Sequence, residues 1–181
     1  MKIIETGIEG LLVVEPTVFG DERGWFQEAF SAPKLKEFGF QDPVVQANHS
    51  FSRAGVLRGL HFQRAPHEQS KVVRCLRGRL FDVAVDIRPG SITYGQWFGL
   101  ELSEDNRKAL IVPRGFAHGF YAVTDCELFY LCGHAAYDKD SEGGLRFDDP
   151  ELSIDWPLSG QPLVNERDRQ FPALSELKVC A

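Results

Sequence analysis

A chain of 181 residues with 43% hydrophobic and 25% charged side chains can bury one substantial core, and a formal charge of −6 argues against a general nucleic-acid surface. No apolar run approaches the roughly 18 residues of a membrane span, and Met1-Lys2-Ile3-Ile4-Glu5 lacks the apolar stretch of a signal peptide. The expectation is a single domain over 1–181 in the cytoplasm, with Cys75, Cys126, Cys132 and Cys180 as reduced thiols behaving like small buried hydrophobes.

In chain order, Leu11 to Glu15, Trp25 to Phe30 and Val44 to Ser50 read as strands, so that 1–50 is a set of N-terminal strands. One short helix interrupts them. Ser31 is placed to cap it, Pro33 suits its first turn, Leu35 and Phe38 give an apolar face, and Gly39 ends it. The block Val56 to Gln63 follows, and then short strands are expected at Lys71–Leu76, Leu80–Ile87, Trp97–Leu102, Ala109–Val112, Phe116–Val123 and Cys126–Cys132. Within Leu80–Ile87 the period is two: Phe81, Val83, Val85 and Ile87 share one face, and Asp82, Ala84 and Asp86 the other. Turn residues such as Arg77-Gly78, Pro89-Gly90 and Pro113-Arg114-Gly115 separate the strands. A spacing of roughly ten residues favours a sandwich or barrel over a parallel sheet. From Pro157 the tail is loop-rich, with a short helix near Ala173 to Lys178.

Chemistry concentrates around His61. Arg58 and Lys71 lie close to it in sequence, and Asp168 and Tyr130 come from further along. A neutral imidazole accepts a proton near pH 7, and an ammonium beside it steadies the negative charge that results, so the set suits proton abstraction next to a carbonyl. Arg23, Arg53, Arg58, Lys71, Arg74, Arg77 and Arg79 cluster in the first half, which leaves room for a phosphorylated ligand despite the acidic total. The strand pattern also fits the cupin jelly roll, and Pro113-Arg114-Gly115-Phe116-Ala117-His118 fits its PxGxxH signature. His61-Phe62-Gln63 lacks the second histidine of the metal-binding HxH, and His67-Glu68 belongs to a polar turn, so no metal is expected.

From Phe19-Gly20-Asp21-Glu22-Arg23-Gly24-Trp25-Phe26-Gln27-Glu28, through Gln46-Ala47-Asn48-His49-Ser50, Val56 to Gln63, Lys71, Phe81 to Arg88 and Pro113 to Phe120, to Phe147-Asp148-Asp149-Pro150, Ile154-Asp155-Trp156-Pro157 and Asp168, the chain resembles the dTDP-4-dehydrorhamnose 3,5-epimerase family. These are metal-free cupins, and the ordered series is far more specific than any one piece. The resemblance implies an all-β cupin jelly roll with N-terminal strands and a few short helices. It implies a nucleotide-linked 4-keto-6-deoxyhexose as substrate, no cofactor, and a homodimer in which a segment such as Leu11-Leu12-Val13-Val14 joins the partner's sheet. It makes His61 the general base with Asp168 bonded to it, Lys71 the stabiliser of the enolate oxygen, and Tyr130 the acid on the opposite face. Arg23 and Arg58 become pyrophosphate contacts. Glu28, Gln46, Asn48, Lys71, His118, Glu142 and Arg169 line the nucleotide or sugar site, while Phe19, Phe26 and Tyr137 are candidates to stack on base or sugar.

The chain departs from the family around the acid. Tyr130-Leu131-Cys132-Gly133 replaces the usual Tyr-Lys-x-Thr, and the segment before Glu142 is one residue longer. Those departures leave open an epimerase of one carbon only, C3 or C5, on a dTDP- or CDP-linked sugar. A metal-dependent cupin oxygenase and a sugar-nucleotide-binding cupin without catalysis are the readings from other classes.

Overall fold

The computed structural model describes residues 1–177; Cys180 and the end of the helix expected at Ala173–Lys178 lie outside them. Two antiparallel sheets face each other. The first contains β1 (Lys2–Glu5), β2 (Leu12–Glu15), β5 (Val44–Ser52), β7 (Gln69–Arg77), β10 (Ala109–Val112) and β12 (Cys126–His134), in the order β1-β2-β10-β7-β12-β5. The second contains β6 (Leu57–Gln63), β8 (Arg79–Asp86), β9 (Trp97–Ser103), β11 (Phe116–Ala122) and β13 (Glu142–Gly144), in the order β13-β6-β11-β8-β9. β3 (Val18–Asp21) and β4 (Gly24–Gln27) form a separate hairpin. The result is a jelly roll with two short helices, α1 (Ala32–Glu37) and α2 (Glu166–Arg169), and a 3-10 turn at Leu174–Glu176.

The core between the sheets holds Leu11, Val13, Val73, Leu80, Leu110 and Leu128, all nearly or fully buried. Each such side chain contributes about 1.5–3 kcal/mol on leaving water. The outer faces are covered too. Leu35 of α1 packs with Val72 and Ile111 on the first sheet, while Leu145, Leu152, Trp156 and Leu174 of the C-terminal segment cover Val83 and Val85 on the second. Buried polar groups pin that segment: Trp97 Nε1 donates to the Leu152 carbonyl at 2.8 Å, and Asp149 Oδ2 accepts from Leu174 N–H at 2.6 Å. This is why the apparently loop-rich tail is a structural layer.

Several expectations need correction. The alternation in β8 is as read, and residues of both its faces are buried, with Asp82 and Asp86 fully enclosed. Ser31 stands at the N-cap of α1 without any capping hydrogen bond from its side chain. The strand expected over Trp25–Phe30 ends at Gln27, and β1, β3, β13 and α2 are additional elements. Leu11–Val14 is no free arm here: β2 is paired on both sides within its own chain, by β1 and by β10.

Candidate active site

His61 enters the space between the sheets from β6, and its Nε2 lies 2.9 Å from Asp168 Oδ1. The two residues are brought together by α2, a single turn whose cap, Asn165, accepts from the Asp168 N–H at 2.6 Å. Asp168 is fully buried, and its Oδ2 accepts from Gly59 N–H at 3.0 Å. That approach requires glycine. Gly59 has φ +117, and a Cβ on it would come within 2.6 Å of Gly119 Cα on β11. Burial alone would raise the Asp168 carboxyl, but the His61 hydrogen bond and charge, then Gly59 N–H and the Arg167 guanidinium, outweigh it and hold it below the usual carboxylate range. With Nε2 engaged, Nδ1 is the nitrogen left to take a proton. Phe171 meets the imidazole edge-on at 5.7 Å and limits its rotation.

Lys71 and Tyr130 come from neighbouring strands, β7 and β12, and the ammonium stands 6.0 Å from the phenol ring centroid. Burial pushes the Lys71 ammonium below its ordinary value, opposed by Cys132, Asp82 and Glu142. Burial also raises the Tyr130 hydroxyl, so the phenol keeps its proton at neutral pH. Asn48 of β5 is the register partner of Tyr130, accepts from Gln46 Nε2 at 2.8 Å and reaches Cys132 Sγ at 3.5 Å. Cys132, between the altered family positions Leu131 and Gly133, is fully buried and pairs in register with Lys71. His118 stands opposite His61 in the β6–β11 register, with its Nε2 2.8 Å from Asp82 Oδ1.

Arg58 Nε donates to Ser52 Oγ at 3.0 Å, and its charge acts on Tyr130. Tyr137 and Glu142 form a second group at the rim. The tyrosine hydroxyl donates to Glu142 Oε2 at 2.9 Å, its backbone N–H donates to Gln46 Oε1 at 2.8 Å, and Arg167 holds the same carboxylate at 2.5 and 3.1 Å. His61, Lys71, Tyr130, Asp168, His118, Asn48, Gln46, Arg58, Tyr137 and Glu142 are therefore linked by contact, register or charge. Three residues are not. Arg23 pairs with Asp21 in the exposed hairpin, Glu28 with Lys34, and Arg169 Nε donates to the Val164 carbonyl at 3.3 Å while its charge acts on Asp148. Phe19 and Phe26, the candidates to stack on base or sugar, are 63% and 67% exposed.

Sequence reasoning missed Asp82, Arg167 and Phe171. Asp82 offered one signal, a carboxylate inside an apolar strand; the other two lie in a tail with no periodicity to read. Among the described residues no three His, Cys, Asp or Glu side chains converge as a metal-ligand set. A groove of 560 Å³ at one end of the roll is lined by Phe40, Phe62, Ile111, Pro113 and Arg114 and by none of the clustered residues.

Comparison with known proteins agrees with this geometry. A family profile described as dTDP-4-dehydrorhamnose 3,5-epimerase matches residues 5–176. The dTDP-4-dehydrorhamnose 3,5-epimerase of Methanothermobacter thermautotrophicus is 45% identical, over 98% of this chain and 97% of its own length. The crystal structure of a Legionella pneumophila dTDP-6-deoxy-D-glucose-3,5-epimerase in complex with dTDP-4-keto-L-rhamnose superposes with a TM-score of 0.93 at 44% identity, covering 97% of this chain and 94% of that one. A 3'-monoepimerase from Streptomyces bikiniensis in complex with dTDP-quinovose has a TM-score of 0.87 at 35% identity, covering 93% and 86%. The chain belongs to the dTDP-4-dehydrorhamnose 3,5-epimerase family, whose members are isomerases, and it has the family's jelly-roll fold.

Proposed function

We propose that this chain, as a member of that family, inverts C3 and C5 of dTDP-4-dehydro-6-deoxy-D-glucose to give dTDP-4-dehydro-L-rhamnose, a step of deoxysugar biosynthesis. The observations that carry the reading are the His61–Asp168 hydrogen bond at 2.9 Å, made from one sheet, and the Lys71 ammonium 6.0 Å from the Tyr130 ring on the facing sheet. Both carbons are α to the C4 ketone, so their hydrogens leave as protons when the electron pair can move onto the ketone oxygen. His61 Nδ1 takes the proton, and Asp168 fixes the tautomer and balances the imidazolium. Lys71 stabilises the enolate oxygen, which is charge that exists only after the proton has left. Tyr130, still protonated because it is buried, returns a proton to the opposite face and so inverts the centre. Every step is a redox-neutral proton transfer and needs no cofactor.

Arg58 is the pyrophosphate contact, Tyr137 stacks on the nucleotide, and Gln46, Asn48, His118 and Glu142 line the ligand. Arg23, Glu28 and Arg169 stand outside this group in one chain. The hairpin that bears Arg23 exposes Phe19, Trp25 and Phe26 and pairs with no other strand among the described residues. A homodimer in which this hairpin docks on a second copy covers those aromatics and gives Arg23 an anion to bind. Residues 1–181 then act as one domain. The cytoplasm is the fitting compartment, since Cys75, Cys126 and Cys132 are buried free thiols, and no helix among the described residues is long and apolar enough to cross a membrane.

The test is NMR in deuterium oxide with dTDP-4-dehydro-6-deoxy-D-glucose, with and without chelator. Deuterium entering both C3 and C5 regardless of chelator is the expected result. Incorporation at one carbon only would favour a single-centre epimerase, a reading supported by the altered segment 131–137 and by the likeness to the 3'-monoepimerase. The same assay with a CDP-linked substrate sets the nucleotide preference. Binding without any exchange would end the catalytic reading.

A further inference from the structure

Asp82 lies on β8, enclosed between the sheets. Its Oδ1 pairs with His118 Nε2 at 2.8 Å, and its Oδ2 is buried with no hydrogen-bond partner among the described residues. The dyad next to it is neutralised differently. Asp168 spends its second oxygen on Gly59 N–H, and Arg167 Nε stands 3.7 Å from Oδ1. The two imidazoles are register partners on β6 and β11 and rest on carboxylates of unequal freedom.

We propose, on the functional reading given above, that Asp82 is a positioning residue for epimerisation: the buried counter-anion of an enolate-binding pair formed by His118 and Lys71. A carboxylate with a buried, unpaired oxygen is costly, and an apolar side chain at that strand position would pack at no such expense. Such a group is retained where its charge is used. With His118 Nε2–H given to Asp82, Nδ1 is the nitrogen left for substrate. A proton on Nδ1 makes an imidazolium whose charge Asp82 offsets, and that N–H can then donate to the ketone oxygen as the electron pair arrives there. Asp82 also acts on Lys71 through space, opposing the burial that favours a neutral amine. His61 draws on a different carboxylate and is left to serve as the base.

Asp82→Asn keeps the shape and removes the charge. The expected result is a fall in kcat of about 10²-fold with dTDP affinity held within about twofold, because the lost interaction forms only as the enolate forms. The groups facing Lys71 are Cys132, Asp82, Glu142 and the Tyr130 ring. Without the Asp82 charge the Lys71 ammonium is lost at lower pH, so the alkaline limb of the kcat profile shifts toward acid. A purely structural carboxylate would lower the Tm and leave that limb in place. In a His118→Ala background the Asp82→Asn loss shrinks, since one of its two routes is already gone. If Asp82→Asn fails to fold, Asp82→Ser is read in the same way, and the ¹⁵N spectrum of wild-type histidines needs no variant: it should show His118 protonated at Nε2. The inference is overturned by a kcat within about twofold of wild type with an unmoved alkaline limb, by a loss confined to KM, or by an unprotonated His118 Nε2. A wild-type chain that exchanges no α-protons overturns the functional reading together with this one, whereas an active wild type with an indifferent Asp82→Asn overturns this one alone.

Discussion

At the scale of single residues, the chemistry divides between groups that are present before the reaction and charge that appears during it. His61 is the sole imidazole paired with Asp168, so His61→Ala should fold normally and lose deuterium wash-in by about 10²- to 10⁴-fold. Near-normal exchange by a folded variant would remove His61 from the mechanism. Lys71 meets its partner only in the enolate. For Lys71→Ala the fall in kcat should exceed any rise in the dissociation constant for dTDP, and unchanged turnover would reduce the lysine to a phosphate contact. Both residues were legible in the sequence because the strand block around them is ordered and family-like. Asp82 was not, because its importance depends on a histidine 36 residues away.

The elements of the roll are held in shape by polar anchors as well as by apolar packing. The turn after β8 shows this best. Asp86 is fully buried, and its carboxylate accepts from Arg88 at 2.9 and 2.7 Å, Ser91 Oγ at 2.6 Å and Thr93 Oγ1 at 2.6 Å. Burial by itself would raise the carboxyl, but these donors, with Arg88 foremost, bring it down from 3.8 to about 2. A carboxyl lowered on folding stabilises the fold above its unfolded value, and the gain disappears as pH falls through its folded value. Asp86 should thus contribute on the order of 2 kcal/mol at neutral pH, lost between about pH 4 and pH 2. Urea unfolding of Asp86→Asn should show a deficit of that order at pH 7 that narrows through this window. A constant deficit would mean that packing, and not ionisation, explains the loss. In the sequence this turn was recognisable from Arg88-Pro89-Gly90-Ser91, but the charge sink beneath it was not.

For the whole molecule, the unresolved balance is between a closed core and an uncovered hairpin. Three large aromatics, Phe19, Trp25 and Phe26, are more than half exposed on β3–β4, and Arg107 stacks on Trp25 at 4.4 Å. Replacing all three by serine should leave the roll folded and shift sedimentation from dimer to monomer. Turnover should fall with it if Arg23 serves a partner's ligand. A variant that stays dimeric would show that the hairpin is not the contact.

The sequence by itself determined the jelly roll, the family and most of the reacting groups, because period-two alternation, turn residues and a long ordered motif series are local properties of the chain. Only the tertiary structure decided which carboxylate serves which histidine, that both faces of β8 are buried, and that Leu11–Val14 is tied into its own sheet. Those outcomes depend on strands far apart in sequence meeting in a particular register, and on a C-terminal layer that covers a face one strand would otherwise present to water. A single strand's pattern carries no information about its neighbour, and in a sandwich covered on both sides the neighbour sets the environment of every charge.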